Sequence, residues 1–474
     1  MNILVYFSVL DRFLSQVAYQ LQASESDVEL SGIVNATHQA ETVKRGRAQW
    51  TSLDVFSIYR RAYQQQHADM EFLRGIEAEY GIPNLGLIVA ADRYVKNYDI
   101  GKQRLMLETV FRFLLGIIEK RRPEVILSEG IDCIISYSLY AIARRKGIPF
   151  IVPGYARIPG RTSFIWNNNC DRWARTEDLF RQMLSSGLDD AGRRVATTFL
   201  ADFRNRRPMP PSSASPARIR FRTLKELFDA ARTYFRDPQD YNMLPPWVHV
   251  RNRLTRLGRS YFSGSSFEAP VSGEQYVYFP LHQQPESTTS VLGPYSVDQC
   301  ALVENVAKSL PIGVVLYVKE HPVSVGRRPV SYYRRLRKMP GVRLISPTVS
   351  SHALILGAAA VLTISGTAGW EAVLYEKPVI TLGRAFYNMS GLTYEVHSLW
   401  SLPEIIHNAI FRWKPDPERL LSFVAAALGG TYEGEMVYPH VRFLDETEHA
   451  QKIGAALRTE LRTLDRIDSV SQAT

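Results

Sequence analysis

Four short stretches of the 474-residue chain hold residue types that can do chemistry. At 318–322, VKEHP, a hydrophobic run ends in Lys319, Glu320, His321 and Pro322. A histidine at a strand end can donate to a phosphate oxygen, and a protonated one adds charge. Pro322 fixes the turn that aims it. Lys319 and Glu320 point to opposite sides of a strand, so only one of them shares the His321 side. At 364–371, ISGTAGWE, Ser365, Gly366 and Thr367 stand between an apolar strand and a helix. Free N–H groups and the helix dipole attract an anion there, Gly366 lets it come close, and the hydroxyls add donors. Glu371, one turn further on, is placed to meet ribose hydroxyls. At 279–286, FPLHQQPE offers His282, Gln283, Gln284 and Glu286 for recognition of a base or sugar. At 128–132, SEGID, Glu129 and Asp132 are carboxylates suited to proton transfer or nucleophilic work. Each stretch also has a structural reading: Ser, Thr or Glu129 caps a helix, and His321 or the 279–286 loop bonds its own backbone. Their convergence on strand ends is a stronger signal than any one of them.

The elements that must position these residues alternate. NILVYFSV, VELSGIVN, LGLIVAAD, EVILSEGID and IPFIVPG read as strands, separated by helices such as CIISYSLYAIARRKG, which Gly147 closes. After RRPMPPSSASPARIR, a Pro- and Ser-rich break, a second alternating region starts at EQYVYFPLHQQPE and runs through GVVLYVKEHP, GVRLISP, AAVLTIS and PVITLG. Strand–helix alternation predicts parallel sheets covered on both faces. The expected division is 1–203 as a Rossmann-like domain and 204–270 as a basic, partly helical linker. A second Rossmann-like domain follows at 271–430, then a helical segment at 431–474 that packs back on the first domain. That is an α/β, GT-B-like architecture, two Rossmann-type domains with parallel sheets facing a cleft. Ligands of such sheets bind beyond the strands' carboxyl ends, where all four stretches fall.

Composition narrows the class. Apolar content of 45% and charged content of 22% are those of a globular protein, and no apolar run is long enough for a membrane span. The N-terminus has no basic start or cleavage site and reads as a first strand. Cys133, Cys170 and Cys300 are odd in number and far apart, which suggests reduced thiols in a cytoplasmic protein and neither a disulfide frame nor a thiolate zinc site. No metal-binding motif is visible and no cofactor is implied. Of the formal net charge of +10, residues 204–265 carry +9, with 13 Arg or Lys against four acids, interleaved with aromatic residues. Such a segment suits an anionic membrane surface or a solvated helical linker, and no nucleic-acid motif accompanies it.

HQQPES, KEHP and SGTAGWEAVLYEKPVITLGRAFY resemble the capsule polysaccharide biosynthesis family, which includes the Kdo transferases of bacterial capsule assembly. The resemblance covers roughly residues 275–390. It implies a GT-B glycosyltransferase with a nucleotide-activated, often CMP-linked, sugar donor. His321 and Pro322 match the family's HP motif, Gln284 and Pro285 its QP motif, and Ser365 with Thr367 its phosphate-binding turn. The SEG at 128–130 partly matches an acidic-acidic-Gly motif of similar transferases: Glu129 fits, Ser128 stands in place of the first acid, and Asp132 follows.

The function expected is transfer of a sugar, with CMP-Kdo the leading donor, to a glycan or glycolipid acceptor in bacterial surface or capsular polysaccharide assembly. The site is Glu129 or Asp132 on the acceptor side. On the donor side it is Gln284, Pro285, Glu286, Lys319, His321, Pro322, Ser365, Gly366, Thr367 and Glu371. The expected location is cytoplasmic, at the inner face of the cytoplasmic membrane, with no nucleic-acid partner. Two alternatives stand: a CDP-glycerol- or CDP-ribitol-type polyol phosphotransferase, and a non-catalytic module that binds nucleotide or glycan.

Overall fold

A computed structural model describes residues 1–24, 27–56, 67–80, 84–166, 172–205, 222–236, 245–284, 286–437 and 445–471. The chain divides into two compact units. Unit 1 is Met1–Thr176 with Ala231–Leu244 and Gly429–Thr474; unit 2 is Glu177–Ala230 with Pro245–Leu428.

Unit 1 is built on strands β1 (Asn2–Phe7), β2 (Glu29–Val34), β3 (Trp50–Val55), β4 (Val125–Ser128), β5 (Phe150–Tyr155) and β6 (Arg161–Trp166). The sheet runs β13-β6-β5-β4-β1-β2-β3, with β13 (Tyr432–Glu433) supplied from beyond unit 2. From β3 to β5 the pairing is parallel. β1 is buried almost throughout, as a strand covered on both faces must be. The wholly parallel sheet expected from the alternation is not what forms here. β5 and β6 make an antiparallel pair, and β13 adds antiparallel to β6. LGLIVAAD also differs from expectation. Gly86–Ala91 is a helix, started by the Asn84 carboxamide accepting from the Leu87 N–H at 3.0 Å. A short apolar run fits a buried helix as well as a strand.

Helix α1 (Asp11–Ser24) follows β1, and α2 (Ile134–Lys146) follows β4. α2 begins in a capping box of Cys133 and Ser136 and ends at Gly147, whose φ of 67° suits only glycine without strain. The C-terminal helix α7 (Glu446–Ser471) buries Ile453, Leu457 and Leu461 in the same core as Phe13, Leu14, Val17 and Leu21 of α1. Gly454 lets them close, since a Cβ there would stand 2.6 Å from Cβ of Gln20.

Unit 2 carries an all-parallel sheet of β7 (Gln275–Pro280), β8 (Val314–Lys319), β9 (Val342–Ile345), β10 (Ala360–Thr363), β11 (Val379–Thr381) and β12 (Thr393–Glu395), in the order β12-β11-β10-β7-β8-β9. Counted from β7 as first, this is the 3-2-1-4-5-6 order of a Rossmann fold. Further helices are α3 (Arg222–Arg236), which crosses from unit 2 into unit 1, and α4 (Pro246–Ser263), α5 (Val330–Arg337) and α6 (Thr367–Leu374) of unit 2. The division falls earlier than residue 203. Residues 177–205 pack with unit 2, where the Phe180 and Phe423 rings meet edge-on at 5.3 Å and Arg204 donates to the Leu374 carbonyl at 2.8 and 2.9 Å.

Candidate functional site

In a Rossmann order the sheet reverses direction of winding between its first and fourth strands, and the crevice beyond that pair is where ligands sit. In unit 2 the pair is β7 and β10. His282 follows β7 and is buried. Its peptide is held by Gln299, whose Oε1 accepts from the His282 N–H at 2.7 Å and whose Nε2 donates to the His282 carbonyl at 3.1 Å. Arg328 donates to the same carbonyl at 2.6 Å. The His282 Nε2 lies 3.1 Å from the Thr363 hydroxyl at the end of β10, and that hydroxyl accepts from the Gly366 N–H at 3.1 Å. The two strand ends are thereby joined under the Ser365–Gly366–Thr367 turn.

Gly366 is required by space. A Cβ there would stand 2.8 Å from His282 Nε2 and 3.0 Å from Thr363 Oγ1. The Tyr387 hydroxyl donates to the Gly366 carbonyl at 2.9 Å, pinning the turn from its other side. Gly366 is the N-cap of α6 and has no side chain to cap it, so this end offers backbone N–H groups at a rigid turn.

β8, beside β7, delivers the 318–322 stretch. Lys319 is buried, and its Nζ donates to the Ser351 hydroxyl at 3.0 Å. Burial lowers the Lys319 pKa, opposed by the charges of Glu320 and Glu371. Glu320 is turned to the other face and fully buried. It accepts from the Tyr333 hydroxyl at 2.8 Å and from the His321 N–H at 2.8 Å, and it pairs with Arg328 Nε at 2.9 Å. The strand alternation expected for Lys319 and Glu320 is present, and both side chains act as buried anchors. His321 reaches the surface. Partial desolvation of its ring, with the cations Lys319 and Arg327, lowers its pKa. Pro322 opens the 3-10 turn Pro322–Ser324, closed by the Ser324 N–H donating to the His321 carbonyl at 2.8 Å.

The structure thus brings Lys319, His321 and Pro322 to a strand end adjacent to the one shared by His282, Ser365, Gly366 and Thr367. The electrostatic reach of Glu371 covers Lys319 and Tyr278. Gln284 uses its amide to donate to the Val297 carbonyl at 2.7 Å. The Glu286 carbonyl starts the short helix Ser287–Ser290, accepting from the N–H groups of Thr289 and Ser290. Pro285 lies outside the described residues. Sequence reasoning did not reach Thr363, Gln299, Arg328 or Ser351. Thr363 had a signal, since it closes the strand that delivers Ser365.

Unit 1 repeats the pattern at β1 and β4. Glu129, after β4, accepts from the N–H groups of Ser8, Val9 and Leu10 after β1, at 2.8, 2.7 and 2.9 Å. Burial raises its pKa to about 8, opposed by those three donors. A cavity of about 340 Å³ opens here, lined among others by Asp11, His38, Asp92, Arg93 and Asp132. Asp132 meets Arg93 at 3.4 Å, and burial raises its pKa. Burial also raises Asp11, against the attraction of His38. Asp92 is a structural acceptor, taking the N–H groups of Tyr94, Val95 and Ile134 at 2.8, 2.8 and 3.0 Å. Cys133 lines the cavity with its thiol pushed up to about 11 by burial, so it stays protonated near neutrality. Asp11 and His38 were missed, although each stands just past a strand end. Among the described residues no group of three or more His, Cys, Asp or Glu is placed to hold a metal ion. No helix among them is long and apolar enough to cross a membrane.

The fold defines the class: an α/β protein of two Rossmann-like units. Residues 274–410 match the family model described as "Capsule polysaccharide biosynthesis protein". The match takes in His282, His321 and the Ser365–Thr367 turn. Among curated proteins, FixF of Sinorhizobium fredii (strain NBRC 101917 / NGR234) is 29% identical over 205 residues, covering 38% of this chain and 48% of that protein. The capsule polysaccharide export protein KpsS of Escherichia coli is 33% identical over 100 residues, covering 20% of this chain and 26% of that protein. The chain therefore spans about half the length of the first relative and about a quarter of the second. Among solved structures, the beta Kdo 2,7 transferase KpsC of Thermosulfurimonas dismutans matches with a TM-score of 0.38 and 12% identity, over 97% of this chain and 100% of that one.

Proposed function

We propose that the protein is a GT-B glycosyltransferase of capsular or surface polysaccharide assembly, with a nucleotide-activated sugar as donor and a glycan or glycolipid as acceptor. The observation that carries the reading is the joining of β7 and β10 through His282 and Thr363, beneath a glycine turn that opens a helix. That turn suits a phosphate group, and His321 on the neighbouring strand end adds a donor. The donor assigned is CMP-linked, with CMP-Kdo first. On this reading the turn and His321 stabilise the departing phosphate without a metal ion. In unit 1, Asp132 faces the cavity and, with its pKa raised by burial, suits the removal of a proton from an acceptor hydroxyl. Glu129 holds the 8–10 loop that forms one wall of that cavity.

The finer placement is at the inner face of the cytoplasmic membrane. On α4, Trp247, Val250, Leu254 and Tyr261 recur at helical spacing and are exposed, among arginines. Residues 206–221 and 237–244 of the basic segment, Arg218 and Arg220 among them, lie outside the described residues.

A donor screen tests the assignment. CMP and CMP-Kdo should raise the melting temperature more than UDP, GDP or CDP-glycerol at equal concentration. Release of CMP from CMP-Kdo with a soluble acceptor should then follow. Stabilisation by CDP-polyols, with donor phosphorus in the product, would replace this reading by the phosphotransferase one. Nucleotide binding without turnover on any acceptor would leave a binding module.

A further inference from the structure

A groove of about 550 Å³ runs between α4 and the turn that follows the His321 loop. It is lined by Arg251, Arg253, Arg256, Arg259 and Arg327, and among the described residues no acidic side chain lines it. The groove is built into the fold. Gly326, at φ 78°, brings its turn so close to α4 that a Cβ would collide with the Arg256 carbonyl oxygen. Arg256 Nε donates to the Val325 carbonyl at 3.3 Å, and Arg259 Nη1 to the Arg327 carbonyl at 2.9 Å. Those bonds fix the guanidinium stems. The like charges Arg327 and Arg253 join burial in lowering the Arg256 pKa, the mark of cations held together.

From 251 to 259 the arginines span eight residues of helix, about 12 Å at 1.5 Å per residue. A single phosphate needs far less than that length, so the occupant is extended and carries charge at intervals. Every basic residue lining the groove is arginine, whose planar fork pairs two oxygens of one acid group at a time. Among the described residues no aromatic ring lines it, so it lacks the aromatic stacking platform of a single-stranded nucleic-acid site. The exposed apolar residues of α4, at 247, 250, 254 and 261, fall on a different face of the helix from 252, 256 and 259.

We propose that this groove binds a linear acidic glycan, an oligosaccharide with a carboxylate on successive sugars. The choice of glycan among linear polyanions rests on the transferase reading above; the demand for a linear polyanion does not.

The probe is hexagalacturonic acid, with maltohexaose as its uncharged counterpart, titrated into the full chain by calorimetry without donor. The acidic hexamer should bind, more weakly as salt rises, and the neutral one should not. Arg251→Gln with Arg259→Gln should weaken binding at least tenfold at an unchanged melting temperature. Tyr261→Ser, which is not three or four residues from any of the lining arginines, should leave it intact. Equal binding of the two hexamers, or no effect of the arginine substitutions, would overturn the proposal. So would tighter binding of a ten-nucleotide oligothymidylate that displaces the glycan, or arginine-dependent binding confined to phosphatidylserine vesicles. CMP release from CMP-Kdo, followed separately on a soluble acceptor, reports on the transferase reading. A chain that turns over donor without binding the acidic hexamer refutes the groove alone. One that binds the hexamer and turns over no donor refutes the transferase alone.

Discussion

The His282 ring and the Thr363 hydroxyl meet at 3.1 Å across the seam where β7 and β10 lie side by side. The same hydroxyl receives the Gly366 N–H, so one buried oxygen serves two strand ends and the turn above them. Thr363→Val keeps the shape and removes that oxygen. Leaving buried polar partners unsatisfied costs roughly 1–3 kcal/mol. Urea denaturation should show a loss in that range, together with weaker nucleotide binding. A loss under about 0.5 kcal/mol would mean that this linkage does not hold the turn.

Gly366→Ala tests the turn without removing any hydrogen bond. Its Cβ would press on a buried imidazole and a buried hydroxyl, and overpacking of this kind costs about 1–3 kcal/mol. Thermal unfolding and nucleotide titration should both register it. A variant with wild-type stability and wild-type affinity would show that the two groups have room to withdraw.

The pH dependence of anion binding follows from His321. Its pKa in the free protein is below the ordinary value of 6.5, so near neutrality the ring is mostly uncharged. A bound phosphate favours the protonated ring, so binding takes up a proton. Affinity for CMP-Kdo, whose phosphodiester keeps its single charge over this range, should therefore rise as pH falls from 7.5 through 6, by at most about tenfold per unit for one proton. His321→Gln should flatten the profile and weaken binding at the acid end. The reverse slope in wild type would separate this ring from the anion.

Among the described residues of unit 2, Arg328 and Glu320 form an enclosed ion pair, the arginine side chain 12% exposed and the glutamate 0%. Arg328→Met would strand a buried carboxylate and leave the His282 carbonyl with Gln299 alone as donor. Breaking such a pair from one side costs about 3–5 kcal/mol. Pairing it with Glu320→Gln should restore part of the loss, and a double-mutant cycle by chemical denaturation measures how much.

Glu129 and Asp132 should separate by readout. Glu129→Gln leaves one acceptor oxygen for three N–H donors, so the melting temperature should drop. Asp132→Asn should spare the melting temperature and depress turnover with donor affinity little changed. Loss of turnover confined to Glu129→Gln at full stability would exchange the two roles.

The strand-end rule carried most of what was legible. Buried parallel strands are near-continuous apolar runs, so β1, β4, β8 and β10 stand out in sequence, and whatever follows them is marked as a site. The places of Lys319, His321 and the Ser365–Thr367 turn at strand ends were legible that way. Thr363, Gln299 and Arg328 were not, because their importance lies in which strands become neighbours. Strand order decides that His282 meets Thr363, 81 residues away, and no periodicity encodes the order. Glu129 shows the same limit, since capping its own helix and holding the loop after β1 look alike until β1 and β4 are seen to pair. The antiparallel β5–β6 pair was hidden by the apolar run at 150–152, which fits either kind of strand.

The first unit is interrupted. Its sheet is finished by β13 and its helical layer by α7, both made after the whole of β7–β12. On a ribosome, the face of α1 that receives Ile453 and Leu457 therefore waits, uncovered, through the synthesis of more than 400 residues, while the second unit has its entire sheet in hand first. The order of birth and the order of folding should be opposite. In a vectorial synthesis the later unit becomes protease-resistant before the earlier one, which depends on the last-made residues to close. A nascent chain halted at residue 428 is the sort of species a holding chaperone would retain, with an apolar stripe of α1 as its handle.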